Sequence, residues 1–291
     1  MVKREIIVDT SSYQSGLTPT DFKKIGATKN IVKMTEGTNY VNPYIRQLID
    51  YSAGSGVTGF AGYHFSQFRT VDQAIKEADF FDSIARKYFK PGAGLIDDAE
   101  ITNMNTESHV AFLKRLKAKG WKVGFYTYKG MMNQFDMRKI HEVADLFWIA
   151  AYPLANGVPA DKNPDFNYFP SSDKVDIWQY TDNLLGKNVD GSISLTQNAL
   201  DFFNPSKEGN VISWKPEKGT FTAKQNLFLR TAPEDKAKRI ATIHSGEMIS
   251  YDAYADIDGY RWLRQPRSDG GFGYLPCRNP QKKYFGKFSY K

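Results

Sequence analysis

Apolar residues in the first two-thirds of the chain fall into two alternating patterns. Short, nearly continuous apolar runs of β-branched and aromatic residues occupy 4–9, 30–35, 58–65, 94–100, 123–128, 146–152 and 176–181, and Val189-Asp190 opens an eighth. Such runs, bounded by Gly, Asn, Asp and Ser, predict strands buried on both faces. Between them apolar residues recur every three or four positions. Ile45, Leu48 and Ile49 mark a helix from Pro43 to Ser52, and Val71, Ile75, Ala78, Phe81 and Ala85 mark a longer one capped by Thr70. A helix starting at Asn105 or Thr106 ends before Gly120, and a short one covers 136–144. Strand alternating with helix predicts a parallel sheet with right-handed crossovers. About eight strands predict an α/β fold that closes as an irregular, TIM-like β/α barrel, irregular because helices thin out after residue 145. The rival, an open doubly wound sheet, lacks a Gly-x-Gly-x-x-Gly after its first strand.

The pattern changes near residue 209. The segment 209–218 reads as a linker, and from 219 to 291 only short strands follow: 219–223, 226–230, 240–243, 248–252, 260–263 and 273–276. Close spacing with Gly, Pro and Asp turns predicts a small all-β barrel. Charge marks the same division. Residues 210–291 hold 15 basic and 8 acidic residues, which is the whole of the chain's +7 excess. A basic C-terminal module suits an anionic partner such as cell-wall polymer, though a merely soluble basic surface fits equally well. The basic residues are scattered and no recognition motif accompanies them, which speaks against nucleic acid. No segment is long enough to span a membrane, and the N-terminus lacks the apolar run of a signal peptide, so synthesis in the cytoplasm is expected. The one cysteine, Cys277, excludes an intrachain disulfide and reads as a packing residue.

Candidate chemistry centres on Gly94-Leu-Ile-Asp-Asp-Ala-Glu100, where apolar residues lead into three carboxylates with no Lys or Arg nearby in sequence. Strand alternation puts Asp98 and Glu100 on one face and Asp97 on the other. Like charges so close raise at least one pKa, which leaves one group able to donate a proton while the other stays anionic, as glycoside hydrolysis requires. The plainer alternative is a strand end running into a solvated acidic loop. Asp9 and Asp190 are expected on the same rim, with Tyr63, Tyr126, Trp148, Tyr152 and Trp178 as stacking surfaces for sugar or as core. His64 and His141 come without a ligand-spaced cluster, so no metal or other cofactor is expected, and His64 suits a hydrogen bond beneath the cleft.

Six blocks in order, Asp9-Thr-Ser-Ser-Tyr-Gln14, Lys33-Met-Thr-Glu-Gly-Thr38, Gly62-Tyr-His-Phe65, Asp98-Ala-Glu100, Trp178-Gln-Tyr-Thr181 and Val189-Asp-Gly191, resemble the glycoside hydrolase 25 lysozymes. The resemblance implies an irregular β/α barrel that cleaves peptidoglycan between N-acetylmuramic acid and N-acetylglucosamine. By the same resemblance Glu100 is the proton donor, Asp98 its companion carboxylate, and Asp9 and Asp190 the remaining cleft acids. Residues 219–280 are similar to a bacterial SH3-type wall-binding domain through Asn226-Leu-Phe-Leu-Arg-Thr231, Gly246, Tyr251-Asp252, Gly259-Tyr-Arg-Trp262 and Gly273-Tyr-Leu-Pro276. Tyr251, Tyr254, Tyr260, Trp262 and Tyr274 are then candidate wall contacts. Such an enzyme without an export signal would reach the wall through a holin. A catalytically silent wall-binding barrel and a chitinase-like glycosidase are the alternatives.

Overall fold

The computed structural model describes residues 4–203, 212, 214–230, 233–235, 237, 239–267 and 272–290. These divide into two compact units, 4–85 with 90–203, and 86–89 with the residues from 212 onward.

In the first unit eight strands close a ring. They are β1 (Ile6–Thr10), β2 (Lys29–Glu36), β4 (Gly59–Phe65), β5 (Gly94–Asp98), β6 (Lys122–Tyr128), β7 (Leu146–Ala150), β8 (Ile177–Thr181) and β9 (Asp190–Ser194). β3 (Tyr40–Val41) extends β2 as a short hairpin. The order β1-β9-β8-β7-β6-β5-β4-β2 is closed by β1 pairing with β2. Neighbours from β1 through β2 to β8 run parallel, but β9 runs antiparallel to both β8 and β1. The all-parallel expectation fails at this strand, because the loop from β8 to β9 is too short to hold a crossover helix. The reversal has a useful consequence: the first residue of β9, Asp190, lies on the rim where the other strands end.

Helices pack outside the ring: α1 (Pro19–Ile25), α2 (Ile45–Ala53), α3 (Val71–Ala85), α4 (Thr106–Ala118) and α5 (Met137–His141). Caps fix several starts. The Thr70 hydroxyl accepts from Gln73 N–H, Asn105 caps α4 through Ser108 N–H, and Thr18 forms a capping box with Asp21 ahead of α1. The sequence pattern did not predict α1, whose Phe22 and Ile25 are its only buried residues. It also missed α6 (Gln197–Phe203), whose apolar residues are too few for a clear period. α6 completes the barrel core: Phe202 and Phe203 join Ile7, Ile31, Ala61, Ile96, Leu146 and Ile177. Glycines make room for them. A Cβ on Gly94 would lie 2.1 Å from Phe202 Cε1, and one on Gly59 2.8 Å from Phe203 Cβ.

The second unit is a seven-stranded antiparallel sheet, ordered β12-β11-β15-β14-β13-β10-β16. Its strands are β10 (Lys215–Ala223), β11 (Leu227–Arg230), β12 (Arg239–Ile243), β13 (Met248–Ile257), β14 (Tyr260–Pro266), β15 (Phe272–Arg278) and β16 (Gly286–Tyr290). The expected linker 209–218 is therefore too long. Lys215 and Pro216 already pair with β13, and Ile212 and Trp214 are buried in the unit's core, while 209–211 and 213 lie outside the described residues. Two clusters stabilise the sheet, one around Phe221, Leu229, Tyr251 and Leu263, the other around Trp214, Ala253, Ala255, Trp262 and Tyr274. Cys277 is a buried member of the first. Some of the basic residues are already paired: Arg264 clamps Asp252 with two bonds, and Arg261 and Arg278 converge on Asp256.

The close approach at the barrel floor makes Gly94→Ala a test of the packing. Overfilling of this kind costs about 1–3 kcal/mol, so thermal melting is expected to show a clear drop, and a smaller drop when the same change is made in a Phe202→Ala background. A Gly94→Ala chain that melts like the parent would show that Phe202 does not pack there.

Candidate active site

Strand alternation sorts the side chains at the open rim. On β5, Ile96 and Asp98 face the interior, whereas Asp97 faces the helices. β5 ends at Asp98, so Glu100 is not a strand residue. Its loop is pinned by Ala99 N–H donating to Tyr126 O at 2.9 Å and by the Thr127 hydroxyl donating to Ala99 O at 2.8 Å. Those two bonds return Glu100 to the interior side, where the Tyr126 hydroxyl lies 3.1 Å from Glu100 Oε1. Asp9, near the end of β1, is the cross-strand partner of Asp190, and the two carboxyl groups hydrogen-bond to each other.

Gln179 lies at the centre of the cluster. Its amide nitrogen donates to Asp9 Oδ2 at 2.9 Å, and its carbonyl accepts from Tyr126 at 2.9 Å and Tyr152 at 2.8 Å. A cavity of about 290 Å³ is lined by Asp9, Asp98, Glu100, Gln179 and Asp190 with Tyr63 and Trp148. It opens beside a groove of about 690 Å³ walled by Tyr128, Lys129, Leu154 and Tyr168. Glu100, Tyr126, Tyr152 and Asn156 line both, so Glu100 stands where an elongated ligand in the groove would meet the acid pocket.

Burial dominates the electrostatics. It pushes Asp9 up to about 7, against the hydrogen bonds from Asp190 and Gln179 that favour its charge. Burial and the nearby Asp9 charge hold Asp190 well above the usual carboxylate range, so this pair shares one proton, with Asp190 donating. Asp98 is likewise raised, first by burial and then by Glu100, and its Oδ1 is buried without a hydrogen-bond partner among the described residues. Burial also raises Glu100, with the Tyr126 hydroxyl and Lys33 opposing. Lys33 is the cation that no stretch near Gly94–Glu100 supplied. It arrives from β2, bonded to Glu36 at 2.7 Å and resting 4.8 Å above the Phe65 ring centre.

The family profile of glycosyl hydrolases family 25 matches residues 8–189, a span that contains Asp9, Asp98 and Glu100 and ends one residue before Asp190. This chain belongs to that family. Among curated proteins it is 30% identical over 192 residues to the lysozymes of Streptococcus phages Cp-9 and Cp-1, a match that covers 64% of this chain and 54% of each phage protein. It thus spans about half the length of those relatives. The wild-type modular Cpl-1 endolysin complexed with a peptidoglycan analogue shares the fold at 21% identity and a TM-score of 0.54, over 97% of this chain and 82% of the other. A lysozyme from Streptomyces coelicolor does so at 19% identity and a TM-score of 0.54, over 70% of this chain and 99% of its own.

Within this family 25 barrel the expected residues separate into two groups. Asp9, Asp98, Glu100, Asp190, Tyr63, Tyr126, Trp148 and Tyr152 converge on the inner cavity. Trp148 reaches it only from its floor, 2% exposed, with its indole N–H on Ser192 and its ring against Tyr126. Trp178 does not converge. It alternates with Gln179 on β8, so its ring faces outward against Phe166 and Phe169 and its N–H bonds Ala151 O. Asp97 is no solvated loop residue; fully buried, it accepts from Ser66 and pairs with His109 at 2.8 Å. His64 is bonded to Thr35 and Glu77 between β4 and α3 on the helix side, not beneath the cleft, and His141 packs on Phe147. No cluster of three potential metal ligands occurs among the described residues. Sequence reading missed Gln179, Lys33, Asp182, Tyr128, Lys129 and Tyr168. Only Gln179 and Lys33 had a signal, as members of the quoted blocks.

The raised acids fix a sign for stability against pH. An acid with a folded pKa near 7 is protonated in both states below about pH 4. Between there and pH 7 the unfolded chain binds fewer protons, so stability falls as pH rises. Asp9→Asn is therefore expected to raise the melting temperature at pH 7.5 by roughly 2–4 °C for each kcal/mol relieved, and to change it little at pH 4. Equal shifts at both pH values would contradict an Asp9 whose ionisation is opposed by burial.

Proposed function

We propose that this chain is a peptidoglycan hydrolase that cleaves the bond from N-acetylmuramic acid to N-acetylglucosamine, acting as an N-acetylmuramidase of endolysin type. The observation that carries the reading is the position of Glu100, a carboxyl with a raised pKa where a long aromatic groove meets an acid pocket. Phage lysozymes among the relatives and the peptidoglycan analogue held by the Cpl-1 endolysin support the substrate class.

Glycan lies along the groove, with Tyr128, Tyr152 and Tyr168 offering ring faces. The unpartnered Asp98 oxygen takes the N–H of the acetamide on the sugar being cleaved. That bond favours the Asp98 carboxylate and leaves the proton of the neighbouring acids on Glu100. Glu100 then protonates the leaving glycosidic oxygen as the C1–O bond breaks. The acetamide carbonyl, steered by Asp98, attacks C1 from the opposite side, and water opens the resulting ring with Glu100 now acting as base. The shared proton of Asp9 and Asp190 limits the negative charge behind the reacting sugar.

The C-terminal unit, from residue 212 onward, is read as an SH3-type wall-binding module. Of its expected contacts, Tyr251, Trp262 and Tyr274 are 1–3% exposed and belong to the core, and only Tyr254 and Tyr260 keep an accessible face. No helix is long and apolar enough to cross a membrane among the described residues. An endolysin of this kind would reach the wall through a membrane opened by another protein, such as a holin.

Digestion of purified walls, followed by reduction and mass spectrometry, is expected to show muramitol at the new reducing ends. Glu100→Gln should lower kcat/KM by roughly 100- to 10,000-fold while leaving sedimentation with walls unchanged. Reduced N-acetylglucosamine at those ends, or no new ends at high enzyme concentration, would overturn the assignment.

A further inference from the structure

The three hydrogen bonds of the Gln179 side chain can be counted proton by proton. Asp9 accepts from Asp190 and is the ionised member of that pair, so the Gln179 amide nitrogen faces it. The amide carbonyl must then face the tyrosines, and both of its lone pairs are used, one for Tyr126 and one for Tyr152. The Tyr126 hydroxyl has one proton but two acceptors in range, Gln179 Oε1 at 2.9 Å and Glu100 Oε1 at 3.1 Å. With that proton spent on Gln179, the contact to Glu100 is satisfied only when Glu100 is the donor.

We propose that Gln179 is a positioning residue that competes with Glu100 for the Tyr126 hydroxyl proton and thereby keeps Glu100 in its acid form. When Glu100 has given its proton to the leaving oxygen, the Tyr126 hydroxyl turns from Gln179 to the new carboxylate. The same rotation in reverse frees the Glu100 oxygen to take a proton back. This rests on Glu100 being the proton donor, as read above. Other charged groups act on Glu100 too. Lys33 from β2 favours its anion, and the Glu100 charge in turn raises Asp98 of β5 across the pocket. Asp9, Asp190 and Asp182 face it across the cavity from the β8, β9 and β1 side, and Tyr63 and Tyr152 remain neutral. None of these shares a proton with the Tyr126 hydroxyl, which is why Gln179 can be separated from them.

The test is a carbon-13 carboxyl titration of the full chain labelled at glutamate, with Glu100 assigned by its disappearance in Glu100→Gln. Gln179→Met removes the competing acceptor at nearly constant volume, so the Tyr126 proton passes to Glu100. The Glu100 midpoint is expected to move down by about one pH unit. Tyr126→Phe removes the donor and should move it up. Gln179→Met also takes a donor from Asp9, and that route would persist without the Tyr126 hydroxyl. In the Tyr126→Phe background Gln179→Met is therefore expected to lose most of its effect, and what remains measures the Asp9 route. The basic limb of kcat/KM on purified walls should follow the same three directions. An unmoved Glu100 midpoint in Gln179→Met, or a shift that survives undiminished in the Tyr126→Phe background, would overturn the proposal. If Gln179→Met melts below the working temperature, Tyr126→Phe alone decides it: no rise in the midpoint overturns it. Shifts as expected in a protein that releases no reducing ends would sink the functional reading and leave the proton competition standing.

Discussion

Burying several carboxylates at one mouth of a barrel is the constraint around which the first unit is built. Isolated buried carboxylates are costly, and a protein escapes the cost by neutralising or pairing them. Here both routes are used. Asp9 and Asp190 share a proton, Gln179 donates to Asp9, and Lys33 is brought in from β2 against Asp98 and Glu100. What remains uncompensated, an Asp98 oxygen without a donor among the described residues, is stabilisation given up by the protein and available to a ligand.

The rest of the barrel can be understood as the support for that arrangement. Running β9 antiparallel places Asp190 beside Asp9, because the cross-strand register joins those two residues directly. The reversed strand also delivers the chain to the opposite end, where α6 inserts Phe202 and Phe203 against glycines at the starts of β4 and β5. Outside the ring, Asp97–His109 and His64–Glu77 anchor β5 and β4 to α4 and α3. Both are fully buried pairs immediately next to the reactive strand ends, and they hold the backbone from which Asp98 and Glu100 project.

Much of this was legible in the sequence, for physical reasons that also explain the failures. Buried parallel strands are continuous apolar runs, so β1, β2 and β4 to β8 stood out within a residue or two. α1 and α6 did not, since seven residues are too few to establish a period. Alternation correctly separated Asp97 from Asp98, yet the strand stops before Glu100, whose direction depends on Ala99 and Thr127 bonds that no local pattern encodes. The same parity rule, applied to β8, would have turned Trp178 outward and Gln179 inward. Aromatic character drew attention to the wrong member of the pair. In the C-terminal unit aromatics were again the weak guide: Tyr251, Trp262 and Tyr274 alternate inward and fill the core that a small sheet needs. Lys33 lay 65 residues from Asp98 in sequence, and only barrel closure brings the two together.

Near neutrality the location of the protons in this pocket decides which group can protonate a leaving oxygen. Neutron diffraction from deuterium-exchanged crystals at pH 7 reads them directly. The expected map has at least one deuteron on the Asp98–Glu100 pair and one between Asp9 and Asp190, with the Tyr126 deuteron directed at Gln179 where Glu100 is protonated. Bare, unprotonated carboxylates at residues 9, 98, 100 and 190 would contradict it, because nothing in the pocket would then be able to protonate a leaving group.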